Sequence, residues 1–402
     1  MYLFRALRFF GLLWSTPWKR GQTDRMLSIQ DFSARNAELV ALLTRLVEIE
    51  SPTTDKAAVD RVGALVAGEL RQLGAEVTVH ERADAGNHIT GRWDPTGQDK
   101  IGILVMCHMD TVYSLGTLAR QPCHQMDGRL MGPGTMDMKG SIAMLLTALR
   151  AFREAGAWPA RPITALFTSD EETGSDTSRE LIESLARRAE LVLCLEPCLP
   201  DGSLKTWRKG VGDFEITVSG KAAHAGADHE RGRNAIEELA QQIIAIQKLT
   251  DYKQGTTVNV GVVRGGTRSN VVPEHAWAHV DLRVMTATEG DRVTQWMHQL
   301  KPVMPGTTIT VVGGLNRPPM PRDERMAATF ARASAIASRL GMAVSEGGTG
   351  GGSDANFVAP LGVPVLDGLG ALGNGAHSER EHVHIASLPE RTALLAALLS
   401  EW

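Results

Sequence analysis

The regular pattern of hydrophobic and polar positions begins with two helices. At residues 36–50 leucine and valine recur at helical spacing, and Pro52 marks the end of that helix. Further helices are predicted for residues 56–73 and 140–155. Short apolar runs between the helices predict strands at residues 76–80, 101–107, 163–168 and 191–195. Because these strands are apolar on both faces, the sequence predicts an α/β fold with a mostly parallel, twisted sheet covered by helices.

The pattern changes near residue 210. Alternating segments predict strands at residues 214–218, 256–263, 276–284 and 307–312, and helical segments lie at residues 234–249 and 291–300. Their order is β-α-β-β-α-β, which is the order of a ferredoxin-like α+β unit. After Pro318 and Pro319 the earlier alternation of helices and strands resumes. We therefore predict a large domain formed by residues 26–209 and 316–402, with a smaller domain inserted at residues 210–315.

Residues 1–25 precede the first predicted helix and mix basic with apolar positions, as a signal peptide does. The apolar run from Phe9 to Trp14 is too short for the core of such a peptide, and Arg5 and Arg8 lie where the run would have to extend. We therefore expect a dispensable or disordered extension, and a cytoplasmic protein rather than a periplasmic or secreted one. No apolar run reaches about 18 residues, so no membrane-spanning helix is predicted.

Composition narrows the class of partner. The chain has 402 residues, of which 43% are hydrophobic, and this is enough for a large core in two domains. Its 42 basic and 46 acidic residues nearly balance, so no strong overall field attracts nucleic acid or an anionic membrane, and the expected partner is a small molecule. The cysteines form no CxxC pair. We predict reduced, partly buried thiols rather than disulfides or a thiolate zinc site for Cys107, Cys123, Cys194 and Cys198.

Residues with metal-ligand chemistry follow the predicted strands. His108 and Asp110 end the strand ILVMCHMD, and two residues apart on a strand they face the same way. This spacing allows His108 to ligate a metal while Asp110 orients its imidazole. Asp137 stands in the glycine-rich loop GPGTMDMKG directly before a predicted helix, where a plain helix cap is the alternative interpretation.

Further acids and histidines end later strands. Three consecutive acids lie at residues 170–172, and adjacent carboxylates repel one another unless cations lie among them; a solvated acidic turn is the alternative. Glu196 ends the next apolar run. His377 lies in a glycine-rich loop near the C-terminus, with His382 and His384 shortly after it. Because the carboxyl ends of parallel strands meet at one edge of a sheet, these side chains are expected to converge there.

The chain resembles the co-catalytic di-zinc peptidase family that contains glutamate carboxypeptidases, acetylornithine deacetylase and succinyl-diaminopimelate desuccinylase. The matching segments, in order, are HMDTV, GPGTMDMKG, SDEETGS, LEP, GKAAHAG, GGGSDA and GAHSE, and the resemblance runs from about Leu39 to the C-terminus. It is strongest to the bacterial glutamate carboxypeptidases, because the acidic segment has consecutive glutamates and the later loop reads TGGGSDA. It implies a zinc-peptidase-like catalytic domain, with the inserted domain as a lid and dimerisation unit.

The resemblance also implies a set of metal ligands. Asp137 bridges two zinc ions, His108 and Glu196 complete one site, and Glu172 and His377 complete the other. Nitrogen and oxygen ligands without thiolates suit Zn²⁺, although Co²⁺ or Mn²⁺ can substitute. Two ions about 3.5–4 Å apart activate a shared water and polarise the scissile carbonyl.

Three further residues have implied catalytic roles. Glu171 takes the proton of the attacking water and returns it to the leaving amine, and Asp110 holds the ligand His108 in the correct tautomer. His224, in GKAAHAG, reaches the active site, in the family often that of the partner subunit, and stabilises the oxyanion; an ordinary loop histidine is the alternative. A homodimer joined through residues 210–315 is therefore expected.

Residues for substrate binding follow from the same resemblance. Arg283, Asn270 and Arg317 match family positions near the substrate carboxylate, and a planar guanidinium suits a two-point grip on it. Gly350, in the run GGTGGGSD, is expected to offer backbone contacts to the substrate amide.

One position departs from the glutamate carboxypeptidase pattern. Ser203 stands where those enzymes have a lysine that grips the side-chain carboxylate of the substrate. Lys205 and Arg208 are the nearby cations that can replace it. This departure weakens the expectation of glutamate specificity.

The predicted function is metal-dependent hydrolysis of an amide or peptide bond next to a free carboxylate, as a carboxypeptidase that releases a glutamate-like C-terminal amino acid. The near alternative is an N-acyl amino acid deacylase of the acetylornithine or succinyl-diaminopimelate type. The remote alternative is a non-catalytic metal-binding or scaffold dimer, and the intact Glu171 argues against it.

Overall fold

A computed structural model describes residues 26–97 and 101–402, so the predicted extension at residues 1–25 lies outside the described residues. The first described helices are Ile29–Ser33, Asn36–Val47 and Lys56–Gln72. Asp55 caps the last of these, because its carboxylate accepts the backbone N–H of Ala58. Both helices predicted in this region are present, and each ends within a few residues of its predicted boundary.

A six-stranded sheet forms the middle of the larger domain. Across the sheet the strands are Glu76–His80, His88–Trp93, Ile163–Thr168, Gly102–His108, Ala189–Cys194 and Val365–Leu366. The last four run parallel to one another, whereas the first two pair antiparallel at one edge. The predicted α/β class with a mostly parallel sheet is confirmed.

Both faces of this sheet are covered by helices. On the strand Gly102–His108 every residue is buried, and alternate side chains enter two different hydrophobic clusters, one on each face. The helices that pack around the sheet include Gly140–Ala155, Arg179–Ala186, Glu324–Arg339 and Leu388–Glu401. With its faces closed, the sheet offers its carboxyl edge, where His108 ends a central strand, as the place for a site.

The inserted segment forms a four-stranded antiparallel sheet with the helices Ala235–Gln247 and Ala287–His298. Its strands lie in the order Thr257–Gly265, His275–Val284, Gly210–Ser219 and Thr308–Arg317, around a hydrophobic cluster of their own. This topology confirms the predicted ferredoxin-like unit. The second helix begins at Ala287 rather than near residue 291, because the side chain of Thr286 accepts the backbone N–H of Glu289 and caps the helix.

The connections between the two parts are tightly packed. The strand Leu204–Arg208 leads into the inserted sheet and pairs in parallel with Glu346–Thr349. Gly210 begins the first inserted strand, where a Cβ atom would lie 2.9 Å from Cδ of Pro319, so only glycine fits. The last inserted strand ends at Arg317, whose side chain reaches back into the larger domain.

A small antiparallel sheet lies beside the loops that carry Asp137 and His377. Its strands are Gly373–Asn374, His382–His384, Arg129–Met131 and His124–Met126, in that order. The other short helices of the larger domain are Thr117–Arg120 and Ala355–Val358. All four cysteines are free thiols, and three of them are buried.

Candidate metal centre

His108 stands at the end of its strand and is buried. Its Nδ1 lies 3.0 Å from the backbone oxygen of Asp110 and 3.5 Å from that residue's Oδ1. The carboxylate of Asp110 is buried and accepts hydrogen bonds from the hydroxyl of Thr53 (2.7 Å) and from the backbone N–H groups of Glu171 and Glu172. Asp110 therefore fixes both the imidazole of His108 and the acidic turn.

Asp137 lies between two histidines, one for each of its carboxylate oxygens. Nε2 of His108 is 3.0 Å from Oδ1, and Nε2 of His377 is 3.3 Å from Oδ2. Although burial acts to raise it, hydrogen bonds with His108 and His377 hold the pKa of Asp137 below its ordinary value. A carboxylate placed in this way can bridge two cations.

Glu172 and Glu196 each lie near one of the two histidines that contact Asp137. Glu172 Oε2 is 3.3 Å from Nε2 of His377, and Glu196 Oε1 is 3.6 Å from Nε2 of His108. The five predicted ligand side chains are therefore brought together, although they are distant along the chain.

The buried ion pair of Arg208 and Asp367 lies next to Glu196. Arg208 is buried, its Nη2 lies 3.3 Å from Glu196 Oε2, and its Nε donates to Asp367 Oδ2 at 2.5 Å. Arg208 also donates from Nη1 to the backbone oxygens of Gly351 and Gly352. The guanidinium is thus committed to the protein and orients one carboxylate of the cluster.

The electrostatics of the cluster fit divalent cations. Burial raises the pKa values of Glu172 and Glu196 to about 7, and the charge of Asp137 acts in the same direction. Oε1 of Glu172 is buried and has no hydrogen-bond partner among the described residues. Ligand atoms of His108, Asp137 and Glu172 lie within 4.8 Å of one another. Crowded carboxylates with an unpaired oxygen, beside two imidazoles, match the donor set of zinc and similar metals.

Glu171 lies beside these ligands but is held differently. It begins the 3₁₀ turn Glu171–Thr173, and its Oε1 accepts a hydrogen bond from Nη2 of Arg317 at 2.8 Å. Burial raises the pKa of Glu171 to about 8; Arg317 opposes this rise and the charge of Glu196 adds to it. Its carboxylate also approaches His108 and Glu196 within the same 4.8 Å limit. Glu171 thus differs from the proposed ligands Asp137, Glu172 and Glu196, because its ion-pair partner Arg317 comes from the inserted sheet.

Glu381 was not predicted from the sequence as a residue of the site, yet its carboxylate binds the backbone of the loop that carries Asp137. Its carboxylate is fully buried and accepts the backbone N–H groups of Gly134, Met136 and Asp137 at 2.8–2.9 Å. The hydroxyl of Tyr113 lies 2.5 Å from the same carboxylate and 3.0 Å from the backbone oxygen of Ser378, next to His377. The available sequence signal was an acid four residues after His377, in a segment with a second acid.

A cleft of about 800 Å³ opens above the cluster, between the larger domain and the inserted sheet. Arg283 lines its wall; both carboxylate oxygens of Asp281 accept from Nε, and Oδ2 also accepts from Nη2. Nη1 of Arg283 lies 3.4 Å from the backbone oxygen of Gly350. Arg317 lines the same cleft but is almost entirely buried, with 4% of its surface exposed.

His224 and Asn270 lie together elsewhere on the inserted domain. The strand Ala223–His224 pairs with Val271–Val272, and the backbone oxygen of Asn270 accepts the N–H of Ala225. Both residues are exposed, and neither lines the described cleft. The structure therefore does not bring these two predicted site residues to the metal ligands of the same chain.

Some neighbouring candidates are also separated from the site. His382 and His384 pack edge to face on the small sheet, with ring centroids 5.2 Å apart, and are not in the cluster. Ser203 is buried, and its backbone N–H donates to Asp201. Lys205 is also buried, and its ammonium makes neither a hydrogen bond nor an ion pair within residues 26–97 and 101–402.

The α/β fold and the cluster of imidazoles and carboxylates at its carboxyl edge define a metal-dependent hydrolase. Residues 104–401 match the family described as Peptidase family M20/M25/M40, and the chain belongs to this family. The chain is therefore an enzyme of the metallopeptidase and amidohydrolase class. This assignment favours an enzyme over the alternative interpretation of a non-catalytic scaffold. The resemblance predicted from the sequence motifs is confirmed.

Relatives and solved structures agree with this assignment. Carboxypeptidase G2 of Pseudomonas sp. strain RS-16 is 32% identical over 370 residues, which cover 90% of this chain and 89% of the relative. A succinyl-diaminopimelate desuccinylase of Alkalilimnicola ehrlichii is 29% identical over 388 residues, covering 90% and 98%. The fold is similar to that of an M20 family metallo-carboxypeptidase from Sulfolobus solfataricus, with a TM-score of 0.71 at 16% identity and coverage of 90% and 98%.

None of the helices in the described part of the chain has the length and hydropathy needed to span a bilayer.

Proposed function

We propose that this protein is a carboxypeptidase that hydrolyses an amide or peptide bond beside a free carboxylate and releases a glutamate-like C-terminal amino acid. The observation that carries this proposal is the composition of the cleft. Its floor holds the metal-ligand cluster with Glu171, and its wall presents the guanidinium of Arg283. A relative named carboxypeptidase G2 that matches over nine-tenths of the chain supports the same reaction.

In this proposal two zinc ions bind at the cluster. Asp137 would be shared between them, and His108 and Glu196 would complete one site while Glu172 and His377 would complete the other. When bound, the ions polarise the scissile carbonyl and make water a stronger nucleophile at neutral pH. Co²⁺ and Mn²⁺ accept the same nitrogen and oxygen donors.

Glu171 serves as the general base in the proposed reaction. It accepts the proton of the attacking water and delivers it to the leaving nitrogen, which must be protonated before it can depart. Its neighbour Glu172 faces the proposed ligand His377, so Glu171 is the glutamate of the turn that is left for proton transfer. Asp110 supports this role, because it accepts the backbone N–H groups of both glutamates and orients His108.

Arg283 is the proposed anchor for the substrate carboxylate. Asp281 occupies the Nε and Nη2 side of its guanidinium, so the edge formed by Nη1 and Nη2 still has N–H groups to offer. Two parallel N–H donors on one edge match the two oxygens of a carboxylate. Gly350, whose backbone oxygen accepts from Nη1, is proposed to contact the substrate amide through its backbone.

The selectivity for a glutamate side chain rests on a different cation. Arg208 is saturated by Glu196, Asp367 and backbone oxygens, and Ser203 carries no charge. The side-chain nitrogen of Lys205 has no hydrogen-bonded partner in the described chain; burial and the charge of Arg208 lower the pKa of Lys205, and the charges of Asp367 and Glu196 act against this. Among these three positions, Lys205 is therefore the group proposed to hold a side-chain carboxylate.

His224 and Asn270 enter the proposal through a homodimer joined by the inserted domain. Both are exposed, and they lie away from the cleft of their own chain. A second copy of the chain would have to deliver them to the site, where the imidazole stabilises the oxyanion. Sedimentation equilibrium tests this step, because a protein that stays monomeric at high concentration cannot use either residue in this way.

The test of the proposed function is a substrate panel with zinc-loaded protein. Folyl-glutamates, dipeptides and N-acyl amino acids are assayed for release of the free amino acid, with Glu171→Gln as the matched variant. We expect hydrolysis of substrates with a free α-carboxylate, and a loss of at least about 10³-fold in the variant with its metal content unchanged. Unchanged turnover in Glu171→Gln, or hydrolysis of nothing in the panel, contradicts the proposal.

The second candidate function is deacylation of a biosynthetic N-acyl amino acid. It is favoured by the desuccinylase relative, which this chain matches over 98% of the relative's length. N-succinyl-diaminopimelate and N-acetylornithine belong in the same panel. Faster hydrolysis of either one than of any peptide or folyl-glutamate identifies a deacylase.

A further inference from the structure

Arg317 crosses from the inserted sheet into the larger domain and ends at Glu171. It is the last residue of the strand Thr308–Arg317, and its guanidinium is buried. Nη2 donates to Glu171 twice, to Oε1 at 2.8 Å and to the backbone oxygen at 3.0 Å. One side chain therefore holds both the backbone and the carboxylate of the proposed base.

A second set of groups holds Arg317 itself. Nη2 also lies 2.9 Å from the hydroxyl of Ser175 and 3.2 Å from Oδ1 of Asp354. Asp354 is fixed in turn by Ser175 and by the hydroxyl of Thr168, at the end of a central strand. The guanidinium carbon lies 5.1 Å from the ring centroid of Phe357. This network ties the guanidinium, at the border of the cleft, to the end of a central strand of the sheet.

The atoms that remain on Arg317 cannot grip a substrate carboxylate at two points. A guanidinium offers two such edges, Nε with Nη2 and Nη1 with Nη2, and both include Nη2. In this structure Nη2 already faces four oxygens, belonging to Glu171, Ser175 and Asp354. Nη1 donates to Oδ1 of Asn316, and Nε is buried and has no hydrogen-bond partner among the residues that the structure describes. A two-point grip would displace the carboxylate of Glu171.

We infer that Arg317 is a positioning residue for Glu171, and that it is not a ligand of the substrate carboxylate. This inference rests on the proposed function, in which Glu171 is the base. Arg283, which lies on the cleft wall with 29% of its side chain exposed, is then the arginine that binds substrate. Displacing a catalytic group by about 1 Å can cost about 10²-fold in rate, so Arg317 should affect kcat rather than KM.

The experiment compares Arg317→Lys with the matched variant Arg283→Lys. The values of kcat and KM are measured with the best substrate of the panel, together with the inhibition constant of the free amino acid product, which reports binding of the carboxylate alone. For Arg317→Lys we expect kcat to fall at least about 30-fold, with KM and the inhibition constant within about 3-fold of wild type. For Arg283→Lys we expect KM and the inhibition constant to rise about 10-fold or more.

The opposite split would overturn the inference. If Arg317→Lys raises KM and the product inhibition constant at least tenfold while kcat is retained, Arg317 binds substrate. A crystal structure of Arg317→Lys gives a second readout that needs no turnover: Glu171 must leave its present position, and an unmoved carboxylate rejects the positioning role. If wild-type protein hydrolyses nothing in the panel, the proposed function fails, and the position of Glu171 in the variant still decides the structural part of the inference.

Discussion

Replacing Glu381 by glutamine perturbs the support of Asp137 without replacing any proposed metal ligand. The buried carboxylate accepts three backbone N–H groups from the Asp137 loop and faces the hydroxyl of Tyr113. Glutamine keeps one acceptor oxygen, while its NH₂ group must face donors on the other side. The loop therefore loses the negative charge and at least one hydrogen bond.

The magnitude follows from the number and kind of these hydrogen bonds. A hydrogen bond to a charged group contributes about 1.5–3 kcal/mol, a neutral one about 1 kcal/mol, and an unsatisfied buried donor costs a further 1–3 kcal/mol or so. We expect Glu381→Gln to lower the free energy of unfolding by about 3 kcal/mol. Because groups that orient a metal ligand change metal affinity by about 10- to 100-fold, zinc binding should weaken within that range.

Glu238→Gln is the matched control, because Glu238 is a buried carboxylate in the inserted domain with a similar set of donors. It accepts from the N–H groups of Val303 and Met304, the hydroxyl of Thr307 and the amide of Gln242. Zinc affinity is measured by competition with a chelator, and stability by urea unfolding. Both variants should lose stability, but only Glu381→Gln should lose zinc affinity. Equal zinc affinities in the two variants would refute the role assigned to Glu381.

Two further predictions concern stability. Gly370→Ala places a Cβ atom 2.2 Å from the backbone oxygen of Leu195, beside Glu196, and should lower the free energy of unfolding in urea by more than about 4 kcal/mol. In the control Gly68→Ala the new Cβ atom has nothing within 4 Å, and this variant should be more stable than wild type by up to about 1 kcal/mol. Similar effects at both positions would show that the clash at Gly370 is relieved. Burial acts to raise the pKa of Glu238, but its hydrogen bonds outweigh this and hold the pKa below the ordinary 4.5. The stability that the Glu238 carboxylate provides is therefore complete above about pH 5 and declines in more acid solution. The difference in free energy of unfolding between wild type and Glu238→Gln should become smaller below pH 4.5. A difference that does not change with pH contradicts this prediction.

The fold was largely readable from the sequence because each segment carries its own periodicity. The strand Gly102–His108 is apolar throughout because both of its faces are buried, and the inserted strand His275–Val284 alternates because one face covers a core. The start of the helix Ala287–His298 was misplaced, since its first turn is polar and is defined by the cap at Thr286. Local hydrogen bonds of this kind leave little trace in a hydrophobic pattern.

The supporting groups of the site were harder to foresee than the side chains that face the cleft. Glu379 and Glu381 are two acids in one short segment, yet Glu379 is exposed and Glu381 is buried against backbone N–H groups about 245 residues earlier in the chain. Arg317 was expected to grip substrate, because it matches a family position near the substrate carboxylate and a guanidinium suits that ligand, whereas its charged partners in the structure are Glu171 and Asp354. Which carboxylate an arginine meets is decided by tertiary packing, and a sequence pattern does not contain it.

The proposed function requires that two divalent cations bind to the side chains of His108, Asp137, Glu172, Glu196 and His377. The most direct measurement is anomalous scattering at the zinc edge from crystals of the zinc-loaded protein. We predict two anomalous peaks, one on each side of Asp137, with its two oxygens directed to different ions. A single peak, or peaks only at other places on the molecule, would contradict the account.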